Sequence, residues 1–313
     1  MKTRYFLLLA AMGLLASCTK EMDTPESTGG KTVLTVGIGS ETRTYMGETT
    51  TGTTTTRKVY WSPKDQIAVN GTPSDPLPDD LADETASASF SFDGIITAPY
   101  NLLYPASIYK DASHVTLPAV QAYKADGFAK DMFPMAGTGT SAADLSISHL
   151  CAILKISVLR ATGNEADADK IVAVRFKGRN NEKVSGDFEI DYATPQLVPA
   201  AKTSDVDGEV RVAKSLATST SNAVVYYLVV PARTYANGFD IIVQDEQGHI
   251  MTQSKTTEWV AVPGKQINMP EFTFVPTGTE LGIEIQTPRN SSTSPKRTTT
   301  TNTPASAPTS SLR

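Results

Sequence analysis

The chain has two cysteines in 313 residues, Cys18 and Cys151. The first closes an N-terminal leader, so a single ordinary thiol remains and an intrachain disulfide is excluded. Stability must then come from packing. Basic residues are not in excess: 28 Lys and Arg stand against 33 Asp and Glu, for a formal charge of −5. The cations are scattered, which argues against the basic face that a nucleic-acid partner requires. After the leader no apolar run approaches the roughly 20 residues that an α-helix needs to cross a bilayer. Helical periodicity is scarce as well. "NEADADK" is too short and too polar to bury a face, and "SDPLPDDLADETASASF" has room for one short turn.

Constellations that move protons, hold metals or attack bonds are also missing. The three histidines, His114, His149 and His249, show no metal-ligand spacing. "SDVDGEV" places Asp205 and Asp207 as a calcium loop would, but Val210 stands where such a loop needs glycine and Leu216 where it needs glutamate. Asp207-Gly208 reads better as a hairpin turn. "AGTGTSA" lacks the lysine of a phosphate-binding loop, and no G-x-S-x-G elbow occurs. His149 and Cys151 lie two apart in "SHLCAIL", so on one strand they would share a face and could act as base and thiol nucleophile. The alternative is that Cys151 packs as a small hydrophobe with His149 near a strand edge, and free cysteine is commonly buried. The expectation is no enzyme, no catalytic residue, no metal and no cofactor.

What is present begins with the leader. Met1-Lys2-Thr3-Arg4 carries positive charge, "YFLLLAAMGLLA" follows, and "LLASC" matches the bacterial lipobox, which makes Cys18 a lipidation site. The alternative is an ordinary signal peptide with an incidental cysteine. Acyl chains on Cys18 would hold the protein at a membrane, since each buried CH₂ adds about 0.8 kcal/mol. Residues 1–17 are thus the signal peptide, and the polar, turn-rich residues 18–30 a tether.

From Lys31 to about Phe274 strands dominate. "KTVLTVGIG" alternates Leu34, Val36 and Ile38, and the polar stretch behind it carries Arg43 followed by Thr44, a bond that a trypsin-like protease can cut. "HLCAILKISVL" and "NAVVYYLVVPA" are nearly continuous apolar runs, as expected of strands covered on both faces. "GFDIIVQDEQGHIMTQ" reads as a hairpin, and "KIVAVRFKG" with "GDFEIDY" as a similar pair across "RNNEKVS". Many short strands without alternating helices predict an all-β protein of two tandem β-sandwich domains, residues 31–145 and 146–276. "ELGIEIQT" within 277–287 repeats the alternation with Leu281, Ile283 and Ile285, and the Ser/Thr/Pro-rich residues 288–313 are expected to be disordered. Tyr100, Tyr104 and Tyr109 cluster in "APYNLLYPASIYKD" and could stack on sugar rings, or serve simply as core residues.

The lipobox, "VYWSPKDQIAVNG", "YNLLYPAS" with "VTLPAVQAY", "FPMAG", "LSISHLCAILKISV" and "YYLVVPA" with "GFDIIV", taken in this order from about Trp61 to Asn268, resemble the fimbrillin family of Bacteroidetes type V pili. "TKEMD" behind Cys18 is similar to the surface-export signal of lipoproteins in that phylum. The resemblance implies two transthyretin-like β-sandwiches, export to the outer membrane as a lipoprotein, and other pilus subunits as partners. It further implies assembly by strand exchange. A protease cuts behind the first strand, that strand leaves, and the groove takes a donor strand from another subunit. By position "LTVGIG", with Leu34, Val36 and Ile38, resembles the displaced strand and Arg43-Thr44 the scissile bond. Arg57 in "TTTTRKVY" is the second candidate cut, and Leu281, Ile283 and Ile285 the candidate donor. The alternative is a surface lipoprotein that binds glycan or host protein and never polymerises.

Overall fold

The computed structural model describes residues 26–28, 30–39, 47–51, 54–58, 60–129, 132–161, 170–199 and 208–280. These form an all-β protein. No α-helix occurs among them, and a 3₁₀ turn spans Ala106–Ile108. In chain order the main strands are β1 (Lys31–Ile38), β2 (Ser87–Asp93), β3 (Tyr100–Tyr104), β4 (His114–Leu117), β5 (Met135–Gly139), β6 (Leu145–His149), β7 (Cys151–Arg160) and β8 (Lys170–Gly178). There follow β9 (Gly186–Asp191), β10 (Glu209–Ala217), β11 (Val224–Pro231), β12 (Phe239–Asp245), β13 (His249–Lys255), β14 (Gln266–Asn268) and β15 (Phe272–Phe274).

The first sheet runs from Glu26–Thr28 through β1, β6, β5 and β3 to the short strands Ala68–Val69 and Thr72–Pro73, with β2 paired to β1. Alternation decides which side chains of β1 face inward: Thr32, Leu34 and Val36 are buried while Lys31 and Thr35 are exposed. Pairing with β1 begins at Glu26, inside the segment expected to be a tether. The inner face meets Trp61, Phe90 and Met135 in one core.

In the C-terminal half, β10, β8, β12 and β13 lie side by side in a six-stranded sheet, edged by Val120–Gln121 and Gly278–Thr279. Facing it are β11, β7, β14 and β15. The two continuous apolar runs are covered on both faces, as their composition implies. Leu154, Ile156, Tyr226 and Leu228 point into the core between these sheets. Cys151, Ile153, Tyr227 and Val229 point the other way, into a third core. That core also receives Leu103 and Ala136 from the back of the first sheet, and Val115 and Phe188 from the antiparallel pair β4–β9.

Two local readings differ from the structure. The expected hairpin at "QDEQGH" forms between β12 and β13, with Gly248 at φ +83 and the Asp245 carboxylate accepting from the backbone N–H groups of Gln247 and His249. However, β8 and β9 do not pair with each other. β8 lies between β10 and β12, whereas β9 lies between β4 and Gln196–Pro199. The linker explains why. Glu182 accepts the Asn180 N–H at 2.9 Å, Val184 is fully buried in the C-terminal core, and Ser185 donates to the Glu209 carbonyl, so the chain is steered to another sheet. Nor do His149 and Cys151 share a strand. β6 ends at His149 and β7 begins at Cys151, and Leu150 between them donates its N–H to the Pro134 carbonyl while its own carbonyl accepts the Ala232 N–H.

Candidate functional site

The first strand occupies a two-walled slot. Along one edge β1 pairs antiparallel with β2, from Thr32 opposite Phe92 to Gly37 opposite Ser87. Along the other it runs parallel to β6, with Val36 opposite Leu145 and Ile38 opposite Ile147. Glu26–Thr28 covers the start of that second edge. Among the described residues β2 joins the sheet through β1 alone. Withdrawal of β1 would therefore strip backbone partners from both neighbours and detach β2, leaving the unpaired edges on which strand addition works.

The side chains deepen this slot. Leu34 and Val36 are both 0% exposed, and burial of such side chains is worth roughly 1.5–3 kcal/mol each. Trp61 Nε1 donates to the Val36 carbonyl at 3.1 Å. Its ring meets Phe90 edge-on with centroids 4.8 Å apart, and Tyr104 at 5.5 Å. Thr32 Oγ1 donates to the Gly94 carbonyl and accepts the Ile96 N–H, which pins the entry of the strand. At the same end the Lys31 ammonium pairs with Asp75 at 2.7 Å and Asp93 at 3.3 Å, and these carboxylates raise its pKa. All three groups are well exposed, so the pairs guide register and add little stability. At the exit Ile38 donates to the Ala86 carbonyl and Gly39 to that of Ile147 at 3.0 Å. Ile38 itself is half-buried at the margin of the core.

Arg43 and Thr44 lie outside the described residues, as do Cys18, Leu281, Ile283 and Ile285. Arg57 falls in Thr54–Lys58, which pairs with Gly47–Thr51 so that Arg57 stands opposite Glu48. The three tyrosines are not brought together on a surface. Tyr100 and Tyr104 are 3% and 1% exposed in the first core, and Tyr104 gives its hydroxyl proton to Asp65 at 3.1 Å. Tyr109 is half-buried against the third core instead. Their period-two spacing fixed a common face for Tyr100 and Tyr104, and that face is the inner one.

His149 is 2% exposed and lies against Phe133, with ring centroids 3.9 Å apart, and burial lowers its pKa to about 3. Cys151 is fully buried, and burial pushes its thiol far above the ordinary range. A neutral imidazole and an un-ionised thiol on separate strands have neither the basicity nor the thiolate that nucleophilic catalysis needs. No group of three or more His, Cys, Asp or Glu capable of holding a metal occurs among the described residues. No helix among them is long and apolar enough to cross a membrane.

Sequence reasoning passed over two features. One is a cavity of about 440 Å³ lined by Leu150, Thr194, Gln196, Arg233, Val260 and Pro263 among others. The second is Arg175, a charged residue in the apolar run "KIVAVRFKG" that is only 6% exposed. Its isolation within that run was the available signal.

No protein-family profile matches the chain, and no curated protein matches it. Solved structures do. A candidate cell adhesion protein from Bacteroides uniformis aligns at 14% identity over 82% of this chain and 96% of its own, with a TM-score of 0.42. One from Bacteroides ovatus aligns at 12% identity over 72% and 88%, with the same TM-score. The tip fimbrial protein Mfa3 from Porphyromonas gingivalis, truncated at its C-terminus, aligns at 11% identity over 74% and 83%, with a TM-score of 0.30. Likeness at these values assigns neither a site nor an activity to this chain.

Proposed function

We propose that this chain is a structural pilin or pilus-associated adhesion lipoprotein that assembles by protease-triggered donor-strand exchange. The observation that carries the reading is the position of β1. The strand is a full member of the first sheet with Leu34 and Val36 in its core, and a few residues beyond its end the sequence offers a tryptic bond at Arg43-Thr44. Cleavage there would turn an integral strand into a separate peptide held by noncovalent contacts alone. The emptied slot then demands another strand with the same alternation, and Leu281, Ile283 and Ile285 supply it. The chain divides in this reading into two sandwich units, residues 31–145 and 146–276. It is tied to the outer membrane through lipidated Cys18 and joined to other subunits at the cell surface or in a pilus. Arg57 is the second candidate cut. It sits within a paired hairpin, so a protease that reads extended substrate would first have to open that pairing.

Ligand binding without polymerisation is the second reading. Its seat is the cavity of about 440 Å³ that Arg233 lines, because Arg233 is the one charged residue among the lining side chains and would favour an anionic or polar ligand. One experiment separates the two readings. Trypsin-like treatment of the purified precursor is expected to remove everything through Arg43, leave a folded product beginning at Thr44, and allow oligomers in size-exclusion chromatography. A precursor whose first strand resists cleavage and stays monomeric overturns the exchange reading and leaves the ligand-binding one.

A further inference from the structure

A charge buried in a sheet is costly unless it is paired, and such pairs are best attested as devices that fix register. Arg175 sits in mid-strand on β8, side by side with Arg211 of β10. Like charges facing each other across a ladder repel. What compensates them comes from two carboxylates. Arg175 Nη1 donates to Glu209 Oε2 at 3.5 Å and to Glu280 Oε1 at 3.4 Å, and its Nη2 donates to Glu280 Oε2. Burial raises the pKa of Glu209, an effect that Arg175 and Arg211 oppose. Glu280 thus closes a guanidinium fork that Glu209 alone serves poorly.

The backbone of the chain end is fastened around this pair. Thr277 N–H donates to the Ile250 carbonyl at 2.8 Å, Gly278 and Thr279 stand opposite Ile250 and His249, and Glu280 N–H donates to the Gly248 carbonyl at 2.8 Å. The Gln244 side-chain amide donates to the Glu280 carbonyl at 3.2 Å. Because Gly278–Thr279 is antiparallel to β13, the chain runs from Thr277 to Glu280 toward the β12–β13 hairpin turn, where Glu280 meets Gly248.

We propose that Arg175 is a clamp which, by gripping Glu280, fixes the point on the edge of the six-stranded sheet after which the candidate donor residues Leu281, Ile283 and Ile285 follow in the chain, for delivery to the emptied β1 slot of a second copy of this chain. Glu280 is then a positioning residue for assembly. The inference rests on the donor-strand reading for its partner, and the clamp itself is measurable without it.

The test uses the full chain with Glu280→Ala and, to remove the charge while keeping the shape, Glu280→Gln. Glu209→Gln, which leaves the chain end untouched, is the comparison. Amide exchange of Thr277 and Glu280 is expected to accelerate roughly tenfold in Glu280→Ala, with less change in Glu209→Gln and no change at β7. Assembly after processing at Arg43 is expected to slow several-fold in both Glu280 variants. Unchanged exchange at Thr277 and Glu280 overturns the clamp. Faster exchange with wild-type assembly overturns its role in presenting the donor. A wild-type protein that is processed but never assembles removes the donor-strand reading itself, and the exchange rates still decide whether Arg175 holds the chain end.

Discussion

Burial keeps the imidazole of His149 neutral down to about pH 3, whereas an unfolded chain protonates it near 6.5. Between those values the unfolded state binds the extra proton, so stability rises with pH across the window and falls as the solution is acidified from 6.5 toward 3. At 1.36 kcal/mol per unit, acidification to pH 4.5 removes about 3 kcal/mol through this one group. Urea unfolding at pH 7 and pH 4.5 should show that loss in the wild type and a markedly shallower dependence in His149→Gln. Identical pH slopes in the two proteins would dismiss the argument. The sequence offered His149 as a partner for Cys151, because spacing counts positions along a chain. It does not report that Leu150 breaks the strand or that Phe133 receives the ring. Arg175 was legible in a different sense. One guanidinium within an apolar strand must find a carboxylate, although only the fold shows that Glu209 and Glu280 provide it.

The elements divide along the same line. Period-two alternation survives any tertiary setting, so the inward face of β1 could be read directly, as could the double burial of β7 and β11. Partner choice could not. Adjacent strands joined by a turn-rich linker usually pair, but Val184 in "RNNEKVS" is drawn into the C-terminal core and carries β9 away from β8. Nor could alternation say that the face shared by Tyr100 and Tyr104 is the inner one. For β1 the geometry makes a direct prediction. A protein that starts at Thr44 retains the Leu34 and Val36 seats but loses the strand that links β2 to the sheet, and exposed apolar seats beside open strand edges promote self-association. Added synthetic peptide "KTVLTVGIG" should restore a soluble, cooperatively melting complex. The same peptide with Val36→Asp should not, because it would place a carboxylate at a fully buried position. Equal rescue by both peptides, or a truncated protein that is stable alone, would mean that β1 is peripheral.

Across the whole molecule the third core ties the two halves together. Its residues come from the back of the first sheet, from β4 and β9, and from the outer face of β7 and β11. The pair β4–β9 joins residues 114–117 to residues 186–189 through a continuous ladder. Just downstream, Gln121 acts as a substitute strand, its side-chain amide donating to the Val229 carbonyl at 2.6 Å and its Oε1 accepting the Val229 N–H at 2.8 Å. Val120–Gln121 also runs parallel to β10 at the edge of the six-stranded sheet. A segment of the N-terminal half is thereby built into the sheets of the C-terminal half, and neither side can melt without exposing apolar surface on the other. Calorimetry of the intact chain should accordingly show one unfolding transition. Phe188→Ala, at a fully buried position in the shared core, should lower the stability of that single transition by about 3–5 kcal/mol. Two transitions of which only one moves would show instead that the halves unfold independently, and that the third core is a contact surface between them and not part of a common fold. A single transition has a consequence for assembly. Strand replacement in the β1 slot would then change the stability of the entire subunit, and a filled slot would protect the six-stranded sheet, where Arg175 holds Glu280, as well as the first sheet.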